Sequence, residues 1–417
     1  MRPYGFPSRH GSVVAGFLVC LLVVAAVNPA CAQGNPDSTP VASPTGPPAQ
    51  DALTRSAFDH YYDLDYDGAV RDFERVLKAH PNDPFAVNHL LTAVFNRELY
   101  RVGALDTGLY STNNFLIKKK FLFDPKVSAP VRELTDRALV LAEQRLAQDP
   151  RDVQALYARG LTRGLRAEYM ALVDKAWFAA LRNAVGARRD HEQVLKLAPD
   201  YADAKTIVGV HNYVAGSLPW TVKAAASLVG LSGNKKKGLQ YLSDAARARG
   251  ETSMDARIAL ALFLRREQRF EDAVAVVRTL TAAHPRNFLF ALEEANILKD
   301  AGHGPESIAA YRNVIAVGGQ GNVYAHPHLD LAEFGLGEAL RGQRDYAGAA
   351  QAYESVRESS MDPELLERAN LAAGQMYDLL QKRELAVSKY QAVITVDTRS
   401  SNAEAARHYL KEPYHTP

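Results

Sequence analysis

The chain has 417 residues, of which 47% are hydrophobic and 23% are charged, and its 49 basic side chains nearly balance its 47 acidic ones. These fractions are those of an ordinary globular protein, and they exclude a disordered chain, a collagen-like chain and a polytopic membrane protein. The near-neutral charge also argues against a nucleic-acid partner, because such proteins use a strong basic field to bind phosphate.

The first 32 residues have the features of an export signal. Two arginines precede a mostly apolar run over 13–27. Ala30, Cys31 and Ala32 then place small residues where a signal peptidase cleaves. We therefore expect a signal peptide over 1–32 with cleavage after Ala32, and export, most simply to a bacterial periplasm or cell envelope. A eukaryotic secretory route fits the same signal.

Two alternatives to this cleavage remain open. The apolar run approaches the length of a membrane anchor, so an uncleaved leader would hold the protein on the membrane. Processing before Cys31 would instead expose this cysteine to lipid attachment and make the protein a lipoprotein. Asn28 stands where such sites usually have leucine, and this disfavours the lipoprotein.

Both cysteines of the chain, Cys20 and Cys31, lie in this leader. Cleavage after Ala32 leaves a mature chain that has no disulfide, no cysteine–zinc site, no iron–sulfur cluster and no thiol nucleophile. Its stability must come from burial in a helical core. Residues 33–50 are rich in proline and small polar residues, which predicts a disordered linker before the folded part.

From Ala52 onward the sequence predicts α-helices. Apolar residues recur at three- and four-residue steps in runs such as 256–266 and 270–280, which is the period of an amphipathic helix. Alternating segments bounded by hairpin turns, which would indicate a sheet, do not occur. The predicted class is therefore all-α. The helices around 152–197 read as longer than the others, and residues 115–125 read as an insertion.

The predicted helices share a recurring order of small, apolar and aromatic residues that ends at a proline. Ala69, Phe73, Val76 and Pro81 follow one another at steps of four, three and five residues. Two of the later sets lack the proline and have a glycine twelve residues before their alanine. The other sets are Ala138-Ala142-Arg145-Pro150, Ala187-His191-Val194-Pro199, Ala273-Val277-Leu280-Pro285, Ala349-Tyr353-Val356 and Ala386-Tyr390-Val393.

This pattern resembles the tetratricopeptide repeat, a helix–turn–helix unit of about 34 residues. Small residues such as Gly337 and Gly374 let paired helices approach closely, and Tyr353 and Tyr390 are expected to fill the space to the next unit. One helix pair cannot bury its apolar face alone, so the units must stack. The resemblance implies a helical-hairpin solenoid wound into a right-handed superhelix.

The repeat pattern divides the folded part in two. Residues 51–251 form an irregular N-terminal region in which only the first pair, 52–81, keeps the regular spacing. Residues 252–411 form a regular array. The last helix of that array, 402–411, is more polar than the others and is expected to cap the last unit.

A segment near the middle of the chain also resembles the eukaryotic tetratricopeptide repeat protein 39 family, which includes the inclusion-body clearance proteins. In that family a helix ends near Leu-Pro, and an apolar helix, a glycine-containing turn and Gly-x-x-x-Leu follow. The similarity covers about 209–315 and implies a multi-helix scaffold with no agreed chemistry. The matching residues are Leu218-Pro219, Gly230-Leu231-Ser232-Gly233, and Gly238 with Leu242.

In repeats of this kind the first helices line a concave groove. The resemblance therefore implies a groove of aliphatic, aromatic and charged residues that suits an extended or helical segment of a partner protein. Clamps for peptide carboxylates need lysine and asparagine at set groove positions, and the four regular units have neither. Alternatively, neighbouring helices of the protein itself would pack on this face in place of a partner. The predicted groove residues are Ile258, Leu262, Arg265, Phe290, Glu294, Phe334, Glu338, Arg341, Leu371 and Gln375.

The segment from Asp63 to Glu74 matches the spacing of a calcium-binding loop. Asp63, Asp65 and Asp67 take its first, third and fifth positions, Gly68 the sixth and Glu74 the twelfth. The competing interpretation is that these residues form the turn and second helix of the first repeat. We favour the repeat and keep calcium as an alternative.

Other candidate motifs have simpler structural explanations. His326 and His328 flank a proline and would suit a transition metal, but such polar loops are usually solvated. The apolar segment 220–231 would suit a membrane interface, but a helix that is apolar on every side is more often buried. We therefore predict no metal, no cofactor and no favoured membrane contact.

The residues favour an exported, non-enzymatic scaffold that binds a protein or peptide partner. The first alternative is a calcium-binding module built on 63–74. The second is an enzyme in the irregular region 84–251, and it predicts a deep pocket there, lined by titratable groups with shifted pKa values.

Overall fold

The structure is a computed structural model that describes residues 44–110, 123–218, 223, 232–321, 323–324, 327–356 and 362–415. These residues form seventeen α-helices and no strand, which confirms the predicted all-α class. The predicted leader, most of the insertion 115–125, almost all of the apolar segment 220–231, and His326 lie outside the described residues.

Each helix packs against the next one along the chain. Among the described helices, none combines the length and the apolar character that a bilayer crossing requires. The helices are α1 (Ala52–Tyr62), α2 (Tyr66–Ala79), α3 (Pro84–Arg101), α4 (Pro125–Gln148), α5 (Val153–Tyr169), α6 (Trp177–Leu197), α7 (Ala204–Gly216), α8 (Lys235–Arg247), α9 (Ser253–Arg266), α10 (Phe270–Ala283), α11 (Phe288–Asp300), α12 (Gly304–Gly319), α13 (Leu329–Gly342), α14 (Tyr346–Ser355), α15 (Pro363–Leu379), α16 (Arg383–Val396) and α17 (Ser401–Lys411).

The four prolines of the repeat pattern stand just after helix ends. The helices α2, α4, α6 and α10 each end two residues before the proline that follows. The residue before a proline is disfavoured in the helical conformation, and proline has no N–H to continue the hydrogen-bond ladder. Several helices begin at Asp-Pro, with the aspartate accepting a backbone N–H and the proline in the first turn, as at Asp83-Pro84 and Asp362-Pro363.

The irregular region has the longer helices. Helices α4 and α6 have 24 and 21 residues, whereas α9 and α10 have 14 each. A π-helical turn, Met170–Asp174, extends α5, and a short 3-10 helix, Thr107–Tyr110, follows α3.

Five hairpins share one turn. In each, a residue with φ between 59° and 80° lies two positions before the second helix. The next backbone N–H donates to the carbonyl five residues earlier, at 2.8–3.0 Å, which is the Schellman ending of a helix. The first hairpin, α1–α2, is therefore built like the four hairpins of the array. The left-handed residues are Leu64, Gln268, Gly302, Arg344 and Gln381.

Glycine and tyrosine meet inside the hairpins of the array. A Cβ on Gly337 would lie 2.5 Å from the ring of Tyr353, and one on Gly374 would lie 2.5 Å from the ring of Tyr390. Both tyrosines therefore pack on the first helix of their own hairpin. They also share a buried cluster with residues of the helices that follow, and the ring of Tyr390 lies 5.6 Å from that of Tyr409 on α17. Tyr311 on α12 also contacts the next unit, where its ring covers Gly335 of α13.

The helices α7 and α8 touch through their backbones. A Cβ on Gly238 would lie 2.5 Å from the backbone nitrogen of Tyr213, and one on Gly233 would lie 2.5 Å from that of Gly216. Close helix packing therefore explains the glycines of this segment that the structure describes, which are Gly209, Gly216, Gly233 and Gly238.

The last helix covers the end of the array. Ala403 and Ala406 of α17 are fully buried in the same apolar cluster as Tyr390 and Val393 of α16. Ser400 caps α17 by accepting the N–H of Ala403 at 3.0 Å. This placement agrees with the capping role expected from its polar composition.

We predict that Gly302→Ala lowers the free energy of unfolding by about 1–2 kcal/mol, since its φ is +80° and a Cβ is unfavourable there. The added Cβ would meet no atom within 4 Å, so the loss measures backbone conformation alone. Denaturant unfolding would measure it. Gly342→Ala is the matched control, because Gly342 is also open but belongs to a helix, where alanine is favoured. Equal stability of the two variants would contradict the assignment of the turn.

Candidate functional site

The end of the predicted linker is in contact with the folded part. Residues 44–50 form no helix, but Gln154 Nε2 donates to the carbonyl of Gly46 at 2.9 Å. Gln50 Nε2 donates to Glu251 Oε2 at 2.9 Å. Residues 44–50 therefore contact the folded part, unlike the disordered linker expected. Gln50, just before α1, lies next to the start of the array at Glu251.

The first hairpin packs on the first helices of the array. The carbonyl of Tyr62 accepts a hydrogen bond from Asn287 Nδ2 at 2.7 Å, and its hydroxyl donates to Asp255 Oδ2 at 3.1 Å. His284 Nδ1 lies 3.0 Å from Asp63 Oδ1. These contacts join residues that are 193 to 225 positions apart. The chain therefore closes on itself.

Two predicted groove residues lie in this closed part. Phe290 is buried in an apolar cluster with Tyr62, and Ile258 packs against the same cluster. Phe58 and Tyr61 of α1 pack there as well. At these positions the face that was expected to receive a partner is occupied by the protein's own first helix.

Three further predicted groove residues also have intramolecular partners. Arg265 is 6% exposed and pairs with Glu293 at 2.8 Å and with Asp300 at 2.6 Å. Glu294 accepts a hydrogen bond from Arg278 at 2.8 Å. Leu262 is half-buried beside the apolar cluster of α8–α10.

The other five predicted groove residues lie half-buried on α13 and α15. The ring of Phe334 lies 5.5 Å from that of Tyr353, and the Arg368 guanidinium lies 4.4 Å from the centre of the Phe334 ring. Glu338 accepts the hydroxyl of Tyr353. We call this surface the open face; it is formed by Phe334, Glu338, Arg341, Arg368, Leu371 and Gln375.

The segment after α17, residues 412–415, lies at one end of the open face. The backbone N–H of Tyr414 donates to Asp378 Oδ2 at 2.8 Å, and its hydroxyl accepts from Arg341 Nη2 at 3.2 Å. Glu412 has extended backbone angles. A stretch of chain that begins in the extended conformation is thus held there by one acidic and one basic side chain.

A cavity of about 190 Å³ lies between the first hairpin and the array. Its wall includes Tyr61, Tyr62 and Tyr66 from the first hairpin and Asp255 and Glu293 from the array. Sequence reasoning missed this cavity, because the two sides are far apart in the chain. The crowding of aromatic residues between positions 58 and 66 was the available signal.

The pKa of Asp255, an acid of this wall, is strongly shifted. Burial raises its pKa from 3.8 to about 7, and the negative charges of Glu251 and Asp203 add to the effect. The hydrogen bond from Tyr62 opposes this rise. Burial also raises the pKa of the Glu293 carboxyl, against the opposing charge of Arg265.

The structure does not form the loop that the calcium interpretation needs. Glu74 lies inside α2, so the segment that a calcium loop would need to wrap around the ion is helical instead. Asp65 caps that helix by accepting the N–H of Gly68 at 3.0 Å, and Asp63 is engaged by His284. Among the described residues no cluster of three or more histidine, cysteine, aspartate or glutamate side chains is arranged to hold a metal. The segment 63–74 is therefore a repeat turn, as the competing interpretation held.

The buried histidine of the irregular region has a packing role. The His191 ring lies against Gly160, where a Cβ would approach it to 2.4 Å, and its Nδ1 lies 2.8 Å from the carbonyl of Ala187. Burial lowers the pKa of His191. In the repeat pattern His191 takes the place that Tyr353 holds over Gly337. It is thus part of the helix packing of 84–251 and gives the enzyme alternative no support.

We predict that Asp255→Asn stabilises the protein at pH 8 but not at pH 4. The unfolded carboxyl loses its proton near 3.8 and the folded one near 7, so folding takes up a proton between these values and stability falls as pH rises. Asparagine cannot titrate. We expect a gain of about 2 kcal/mol at pH 8, since one pKa unit equals about 1.4 kcal/mol and partial exposure reduces the effect.

Thermal unfolding at the two pH values would measure this gain. Asp200→Asn, at an exposed turn, is the control and should change neither value. A gain for Asp255→Asn that is the same at both pH values would contradict the assignment.

Comparison with known proteins identifies the repeats. The family model described as "Tetratricopeptide repeat" matches residues 292–363, from α11 into α15. No curated protein sequence matches the chain. The resemblance of 209–315 to the tetratricopeptide repeat protein 39 family therefore stays a prediction.

Several solved structures are similar over most of the chain. A tetratricopeptide repeat protein from Parabacteroides merdae is 13% identical, with 76% of this chain and 97% of that chain covered and a TM-score of 0.33. Yeast Tom70 is 12% identical, with 86% and 87% covered and a TM-score of 0.37. The human IFIT1 dimer with PPP-AAAA is 13% identical, with 86% and 84% covered and a TM-score of 0.41. These scores are too low to carry a conclusion about function. The chain carries tetratricopeptide repeats, identified by the family model over residues 292–363.

Proposed function

We propose that this protein is an exported, non-enzymatic scaffold that binds an extended segment of another protein on its open face. Tetratricopeptide repeats generally serve as extended binding surfaces. The observation that carries the choice of face is that the first hairpin covers α9 and α11, whereas Phe334, Leu371 and Gln375 keep accessible surface on α13 and α15.

The segment 412–415 supports an extended partner. It is held at the end of the open face by Arg341 and Asp378, through one side-chain and one backbone hydrogen bond. A partner in the same backbone conformation would find apolar contact at Phe334 and Leu371 and a charge of each sign at Glu338 and Arg368. The backbone N–H groups of such a partner would bind side-chain acceptors, as the N–H of Tyr414 does at Asp378.

A non-enzymatic role is supported by the buried polar groups of the irregular region, which form ion pairs and packing contacts between helices. In the irregular region Asp190 pairs with Arg159 at 2.6 Å and with Arg163 at 2.7 Å. His191 serves as the packing partner of Gly160. These groups join helices α5 and α6 and have structural partners of their own.

We predict that Leu371→Glu abolishes capture of the partner, since it places a charge in the centre of the open face. Cross-linking followed by mass spectrometry in the native envelope would identify the proteins captured. Leu385→Glu makes the same change at a leucine of α16 that is 46% exposed, and it should leave capture intact. Gln375→Arg gives a second test on the open face without removing an apolar contact. If both open-face variants capture the same proteins as the control, the proposed face is wrong.

Export is proposed from the leader alone. We predict that the protein recovered from a cell-envelope fraction begins at Gln33, and intact-mass measurement would test this. A mass that corresponds to a lipid-modified start at Cys31 would establish the lipoprotein instead. A mass that includes residues 1–32 would contradict cleavage.

A further inference from the structure

The cavity between the first hairpin and the array is small. Its volume is about 190 Å³. Because a water molecule takes about 30 Å³ in the liquid, the cavity has room for about six water-sized groups. It therefore has the size for a molecule of about six non-hydrogen atoms.

Much of the cavity wall is aromatic. Tyr61, Tyr62, Tyr66 and Phe290 contribute rings, and Ile258 adds an aliphatic surface. The rings of Tyr61 and Tyr62 are 5.0 Å apart and nearly perpendicular, as are those of Tyr61 and Tyr66 at 5.5 Å. Faces of aromatic rings attract cations because their π-electrons are negative relative to the ring edge.

The polar part of the wall is acidic. Glu293 is 5% exposed, and its Oε2 accepts hydrogen bonds from Arg265 and Thr107. Its Oε1 is buried without a hydrogen-bond partner. A buried carboxylate oxygen that lacks a donor is unfavourable, so this atom calls for an N–H or O–H donor within the cavity.

The acids near the cavity differ in their basic partners. Glu293 pairs with Arg265, which also pairs with Asp300, and Asp300 has a second basic partner in Lys299 at 2.7 Å. Asp255 forms no ion pair among the described residues. Its side chain accepts the hydroxyl of Tyr62, and the negative charges of Glu251 and Asp203 act on it. A positively charged ligand would offset this acidic charge.

We propose that this cavity binds a small organic ammonium ion, with its N–H groups donating to Glu293 and Asp255 and its alkyl part against the tyrosine rings. A metal ion is a poorer occupant, because no described group of three or more metal-ligating side chains is assembled there. The proposal is independent of partner binding on the open face, which involves α13 and α15.

Titration of the purified protein with butylamine and with tetramethylammonium, followed by calorimetry, tests this proposal. The neutral alcohol 1-butanol, which matches butylamine in size, is the control ligand. We expect saturable binding of at least one cation at a single site and at least ten-fold weaker binding of 1-butanol. The absence of saturable binding for both cations, or equal binding of butylamine and 1-butanol, would overturn the proposal.

Two variants locate the site. Asp255→Asn should weaken cation binding about ten-fold, and it keeps the acceptor for Tyr62. Glu293→Gln should do the same, and if the loss of its ion pair with Arg265 prevents folding, Asp255→Asn decides alone. Asp272→Asn, at an exposed ion pair with Arg269 on α10, should leave binding unchanged. Unchanged binding in Asp255→Asn would place the cation elsewhere and overturn the assignment. Because Leu371→Glu does not touch this cavity, it should bind the cation normally whatever its effect on partner capture.

Discussion

Close approach of paired helices is the constraint on which the rest of this structure depends. Glycine at positions such as Gly337 and Gly374 leaves room for a tyrosine ring at van der Waals contact with the opposite helix. The tyrosine hydroxyl then binds a side chain of that helix, as Tyr390 does with Asp378 at 2.8 Å. The hairpin is held by shape and by one polar bond together, so its two helices keep a fixed separation. Stacking of such hairpins turns that separation into a regular curved surface.

Curvature brings the first hairpin back to the array, and this decides which part of the inner surface is free. Tyr62 makes two hydrogen bonds to the array. Its carbonyl accepts from the Asn287 side chain, and its hydroxyl donates to Asp255. The surface of α9 and α11 becomes an interior with aromatic and acidic walls, whereas the surface of α13 and α15 stays accessible. The two parts have different chemistry, because water is largely excluded from one and reaches the other.

Much of the fold could be predicted because its signals are local. Pro81 and Pro285 end helices because proline lacks a backbone N–H and disfavours a helical conformation of the residue before it. The glycine–tyrosine spacing reflects two helices joined by one short turn. Helical periodicity could predict which face of each helix the groove residues lie on. It could not predict whether another part of the chain buries that face. Phe290 has the same periodic position as Phe334, but it is buried in a cluster that includes Tyr62, from a helix more than 220 residues earlier. The segment 63–74 shows that a local signal can also mislead. Its spacing fits a calcium-binding loop, but its residues form the turn and second helix of the first hairpin.

A solenoid usually loses structure one unit at a time, because each unit depends only on its neighbours. Here the contacts of Tyr62 and Asp63 with residues 193 to 225 positions away tie the first hairpin to the middle of the array. Tyr100 of α3 also lies 4.9 Å from the ring of His328, and Leu64, Tyr66 and Tyr100 share a buried cluster with residues of α12 and α13. Helices α1 to α13 thus form a ring in which fraying of one hairpin exposes the surface of another. Among the described residues, helices α14 to α17 lack such a tie and retain the linear behaviour. The molecule accordingly combines a cooperative ring with a more independently melting arm, and the open face is formed by α13 of the ring and α15 of the arm.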